Sequence, residues 1–223
     1  MKLIILLVLV ILAGCVGQDI VIDEVSPEVR ITNAISNMEI NTTWQFEYMF
    51  LDNVGSEITP DEMTWSTSDA DIAIVDQDGL ATSLDYGNVE LTLSAVINEQ
   101  AVDTTIMFEV SDNPTMLSQN TRSGEIATTS SYELKGDFEI SMDGNDLIIQ
   151  FSSNYVADQG LPGLYVYLTN NPNTPSGGYE IGAVEVFSGA HQYRIPDTDL
   201  FDYDYLFYYC KPFKVKVGHG DID

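Results

Sequence analysis

"VELTLSAVI", residues 89–97, alternates without a break: Val89, Leu91, Leu93 and Ala95 are separated by Glu90, Thr92 and Ser94. Side chains point to opposite faces at each step along a strand, so this spacing gathers the apolar groups on one face; helical geometry would scatter them. "DTTIMFEV", residues 103–110, alternates likewise. "WQFEYMFLD", residues 44–52, puts Trp44, Phe46, Tyr48 and Phe50 on one face, opposite Gln45 and Glu47. No stretch of this region sustains a helical period. Short strands divided by turn residues predict a β-sandwich over residues 27–110.

Residues 111–123, "SDNPTMLSQNTRS", are polar, contain a proline and lack an apolar period, which predicts a linker. A second region, 124–223, opens with another strand pattern. Asp143-Gly144-Asn145-Asp146 is a hairpin signal between "FEISM" and "LIIQF", and Leu147, Ile149 and Phe151 share one face. The fold expected is therefore all-β, with two β-sandwich-type domains in tandem.

At the N-terminus Lys2 precedes an unbroken apolar run from Leu3 to Leu12, followed by Ala13-Gly14-Cys15. The run is too short for a stable membrane span, and small residues before a cysteine suit a lipoprotein signal peptidase. Residues 1–14 are thus expected to be a lipoprotein signal peptide, with Cys15 lipidated and 15–26 a tether. This resembles bacterial lipoproteins and implies a lipid-anchored protein of the cell envelope. Residue 16 is Val rather than Asp, which favours the outer membrane or cell surface, facing periplasm or exterior. The membrane is then one partner, through Cys15.

Loss of Lys2 moves the formal charge from −27 to −28. A surface this acidic repels phosphate backbones and anionic lipids, so no nucleic-acid partner is expected. No Ser/His/Asp set, Gly-rich phosphate loop, zinc spacing or haem-attachment pair occurs, so no motif indicates a cofactor and an enzyme is not the expected reading.

"MTWSTSDADIAIVDQDGLATSLDYGNVELTLSAV", residues 63–96, resembles the bacterial immunoglobulin-like group 2 family, on Trp65, Ser66, Ser68, Ala73, Val75, Asp76, Gly79, Ala81, Thr82 and Gly87. The resemblance implies a sandwich that serves as a spacer. Within it, Asp69, Asp71, Asp76 and Asp78 admit two readings. Hard cations such as calcium take several carboxylate oxygens from a compact loop, while aspartate also stabilises β-turns by bonding its own backbone.

"LPGLYVYLTN" from Leu161, "IGAVEVFSGAHQYRIP" from Ile181 and "YLFYYCKPFKVKVGHGDI" from Tyr205 together resemble the DM-thirteen domain, also called the electron-transfer DM-thirteen domain. Gly163 to Leu168 match its central strand, and Gly182 the glycine before the next. Gly189, Gln192, Tyr193 and Pro196 match its "G-x-x-Q-Y-x-x-P" step, and Cys210 its near-constant cysteine. The resemblance implies extracytoplasmic electron transfer through Cys210, with another envelope protein as partner.

Read from the residues alone, Cys210 admits three roles. Lys211 and Lys214 (with Lys216) are candidates to activate a redox thiol, because reactive cysteines need an electropositive setting. His191 and His219 are candidates to join it as metal ligands. Period-two counting instead places Cys210 beside Leu206 and Tyr208, opposite Tyr205, Phe207 and Tyr209, as a core residue. The functional expectation is redox chemistry at Cys210, or a non-catalytic binding or scaffold lipoprotein in which Cys210 only packs.

Overall fold

The computed structural model describes residues 23–223; residues 1–14, expected to be a signal peptide, and Cys15 lie outside them. The described chain is all-β, its only helical element a single 3-10 turn, Lys211–Phe213. No helix among the described residues is long and apolar enough to cross a membrane.

The alternating stretch that opens at Val89 forms β8 (Gly87–Ile97), pairing on one side with β5 (Glu62–Thr67) and on the other with β9 (Gln100–Ser111). Val89, Leu91, Leu93, Ala95 and Ile97 are all buried, the outcome that strict alternation dictates for a sheet with one wet face. β2 (Ile35–Glu39) joins the far side of β9 in parallel, and β10 (Met116–Leu117) closes that edge. Part of the stretch read as a linker thus adds a short strand to the first sheet.

The aromatic run at 44–52 keeps its face but changes partner. β3 (Thr43–Gln45) pairs with β7 (Leu80–Ser83), which continues to β6 (Ala73–Val75). After Phe46 and Glu47 the chain resumes as β4 (Tyr48–Leu51), paired with β1 (Glu28–Ile31). Phe46 stacks on Trp65 at 5.7 Å between ring centroids, and Tyr48 meets Trp65 edge-on at 5.8 Å. All three sheets contribute to one core, centred on these rings with Ile35, Met38, Leu91, Leu93 and Phe108.

From β11 (Thr121–Thr128) onward a second, separate core forms inside one nine-stranded antiparallel sheet. β11 lies between β12 (Leu134–Asp143) and β19 (Val215–Asp221). Beyond β12 come β13 (Asp146–Phe151) and β17 (His191–Ile195); beyond β19 come β18 (Tyr205–Cys210), β15 (Leu164–Thr169) and β16 (Tyr179–Ala183). β14 (Val156–Ala157) pairs separately with β12. The β12–β13 hairpin turns on Gly144 and Asn145, with Asp143 opposite Asp146. Gly144 sits at φ +68°, a left-handed conformation that costs a side-chain-bearing residue about 1 kcal/mol. Leu147, Ile149 and Phe151 all point into the core.

The two units meet at a polar seam. Gly55 of the first approaches the second so closely that a Cβ there would lie 2.7 Å from the carbonyl oxygen of Asn170. Asn171, fully buried, donates its amide to the carbonyls of Asp23 and Val54. Arg30, on β1, reaches across to ion-pair with Asp204, and donates to the Phe201 carbonyl at 2.8 Å and to Asn170 Oδ1 at 3.2 Å. On the same side Glu28 accepts from Arg30 Nε at 2.9 Å. From the second unit, Arg122 Nη2 pairs with the other oxygen of Asp204 at 2.9 Å, while its guanidinium also bonds the carbonyls of Leu200, Tyr203 and Ile222. Asp204 therefore bridges two buried guanidinium groups, one from each unit, and Glu28 adds a second carboxylate on the Arg30 side.

Candidate functional site

The residues proposed around Cys210 are distributed over two faces of one sheet. β18 is a central strand, and its alternation sends Leu206, Tyr208 and Cys210 inward. Cys210 is 1% exposed, and its thiol donates to the Pro162 carbonyl with Sγ 3.5 Å away. In register with it stand Leu164 and Val215. Tyr208 packs 6.4 Å from Tyr155 between ring centroids; burial pushes the Tyr155 phenol up to about 12 and that of Tyr208 well above its ordinary value. Both phenols are therefore neutral at physiological pH and act as bulk in the core.

The lysines lie elsewhere. Lys211 opens the 3-10 turn and folds over the Tyr165 ring, 4.0 Å from its centroid, with Nζ bonded at 2.6 Å to Glu180. That bond holds the Lys211 pKa above and the Glu180 pKa below their ordinary values. Lys214 is exposed in a left-handed conformation at φ 53°. Lys216 lies in register with Tyr209 and sits 5.7 Å from the Phe207 ring, on the outer face. The rings that Lys211 and Lys216 cover, Tyr165 and Phe207, face away from the core, so the sheet lies between these two ammonium groups and the inward sulfur.

The histidines are equally divided. His219 is in register with Phe207, on the outer face, with Nε2 3.4 Å from Asp221 Oδ1. Burial, aided by Lys216, pushes its pKa down, which leaves the ring neutral at physiological pH. His191 begins β17 and stacks on Phe151 at 4.4 Å and 3°, while Nδ1 lies 2.9 Å from the Gly189 carbonyl oxygen. Among the described residues no group of three or more His, Cys, Asp or Glu side chains is placed to hold a metal ion.

The aspartates of the first unit organise turns. Asp76 Oδ1 accepts the N–H of Asp78 at 3.0 Å and of Leu80 at 2.9 Å; Asp69 Oδ1 accepts that of Asp71 at 3.0 Å. Carboxylates engaged with their own loop's amides are what aspartate-stabilised turns require.

Two features escaped the sequence reading. The Arg30–Asp204–Arg122 cluster joins residues far apart in the chain; the one available hint was that Arg30 is the sole basic residue between 27 and 110. The other is the tip after Cys210, where Phe213 is 65% and Val215 39% exposed. The 3-10 turn interrupts the period there, so alternation assigns those side chains no face.

No known protein family matches the chain by sequence, and no curated protein matches it. Among solved structures, the crystal structure of the S-layer protein rSbsC(31-844) is similar over 88% of this chain, with 11% identity and a TM-score of 0.30. This chain spans 39% of that one's length.

Proposed function

We propose that the protein is a non-catalytic binding or scaffold module of the cell envelope. In this reading Cys15 carries the lipid, the first unit is an immunoglobulin-like spacer, and the second presents an outer surface to a partner. The observation that carries the reading is the place of Cys210: 1% exposed, in a core of aliphatic and aromatic side chains, with Lys211 and Lys216 held over rings of the opposite face. Buried thiols in apolar surroundings are inert, and cysteine behaves there as a small hydrophobe. The two buried arginines shared by Asp204 support a fixed angle between the units, which a spacer needs and a free linker would not give.

Electron transfer through Cys210, implied by the DM-thirteen resemblance, is the alternative. It would need a second thiol, a metal or a protein partner to reach the sulfur. The discriminating experiment is the absorbance spectrum and metal content of the chain lacking Cys15. The expected spectrum contains tryptophan and tyrosine absorption alone, without stoichiometric metal. Bound copper or haem would overturn the scaffold reading.

A further inference from the structure

We propose that the tip of the β18–β19 hairpin, residues 211–216, docks on an anionic lipid surface. Phe213 is the most exposed large hydrophobic side chain among the described residues, at 65%, and Val215 stands beside it at 39%. Three of the chain's eight basic residues, Lys211, Lys214 and Lys216, fall within these six positions of a protein whose formal charge is −27. Lys211 is paired with Glu180, but neither Lys214 nor Lys216 forms an ion pair among the described residues. The tight turn, closed by the Lys214 N–H on the Lys211 carbonyl, fixes these residues at the end of the hairpin.

An exposed aromatic ring at a hairpin end, with Lys214 and Lys216 near it in sequence, fits an interface that deforms around it: the ring enters the boundary of the acyl chains while the ammonium groups stay among the phosphates. A protein partner would instead have to offer a matching acidic socket. The chain's overall negative charge does not forbid the contact, because charges more than about 8 Å away are largely screened at physiological salt.

The position of the tip is compatible with the anchor. β15 and β18 run between the tip, where Leu164 faces Cys210, and the seam, where Thr169 faces Tyr205. A strand of six residues separates the two ends by roughly 17–20 Å. The first described residue, Asp23, is bonded to Asn171 at the seam end. The eight residues from Cys15 to Ile22 can span at most about 28 Å, enough to let the tip reach the bilayer that holds the lipid.

The test places Phe213→Trp in the full lipidated chain and mixes it with vesicles of phosphatidylcholine, alone or with phosphatidylglycerol, carrying brominated acyl chains. Trp44 and Trp65 pack in the first unit and supply a background that lipid does not reach. Quenching is read at lipid excess, so it does not depend on the anchor; co-flotation reports on Cys15 separately. The expected result is a blue shift and quenching of the introduced indole with phosphatidylglycerol, lost in the Lys214→Glu, Lys216→Glu variant, each charge contributing about fivefold in binding. Absence of quenching with every vesicle overturns the proposal. So does a blue shift that tracks protein concentration without lipid, which would assign the tip to a second copy of the chain.

Discussion

Asp204→Ala lowers the unfolding free energy by about 3–5 kcal/mol, the cost of stranding buried charge. Arg30 and Arg122 are each 8% exposed and share this one carboxylate. Without it Arg122 has no carboxylate partner, while Arg30 keeps only the half-exposed Glu28. Carbonyl oxygens of Leu200, Tyr203 and Ile222 still accept from Arg122 but cannot supply a counter-charge. Because Arg30 comes from the first unit, the loss also loosens the hold between units. Urea titration followed by tryptophan fluorescence and by circular dichroism measures both effects. A change below about 1 kcal/mol, the range of an exposed pair, would mean that the seam is solvated and the units are not held.

Phe151→Ala is expected to cost about 3–5 kcal/mol, and only in the second unit. Phe151 is 1% exposed and packs against Phe138, Tyr155, His191 and Tyr193, with ring centroids between 4.4 and 6.2 Å away. Deleting its ring opens a cavity that stacked aromatics on opposed strands cannot close. Both tryptophans, Trp44 and Trp65, belong to the first core, so their fluorescence follows that unit alone while far-ultraviolet circular dichroism follows both. The dichroism transition should move to lower urea and leave the tryptophan transition behind. Equal shifts in both signals would show that the two cores unfold as one.

Strand identity was legible where one face is wet. Val89 to Ile97 and Leu147 to Phe151 announce their buried faces, and so does the Leu206–Tyr208–Cys210 face, because alternation survives any choice of neighbour. Partner choice was less legible. The run from Trp44 to Phe50 keeps its period while passing from one sheet to another, and β2 joins β9 in parallel through contacts that no local pattern encodes. Phe207 shows the limit of two-face reasoning. It lies opposite the core yet is 0% exposed, covered on the outer face by neighbours that include Tyr209 and the Lys216 side chain. At the candidate site, period-two counting had already set Cys210 apart from the odd-numbered tyrosines. Sequence proximity suggested Lys211 and Lys214 as its activators; Lys211 instead covers Tyr165 and pairs with Glu180, and Lys214 is exposed in the turn.

The most direct measurement is alkylation of Cys210 in the folded, metal-stripped chain lacking Cys15, read by intact mass across a graded thiol/disulfide buffer. A packing residue 1% exposed should remain unmodified until denaturant unfolds the second core, and should form no mixed disulfide before then. Rapid modification without denaturant, with reversible passage into a mixed disulfide, would contradict the scaffold reading and return electron transfer through Cys210 to first place.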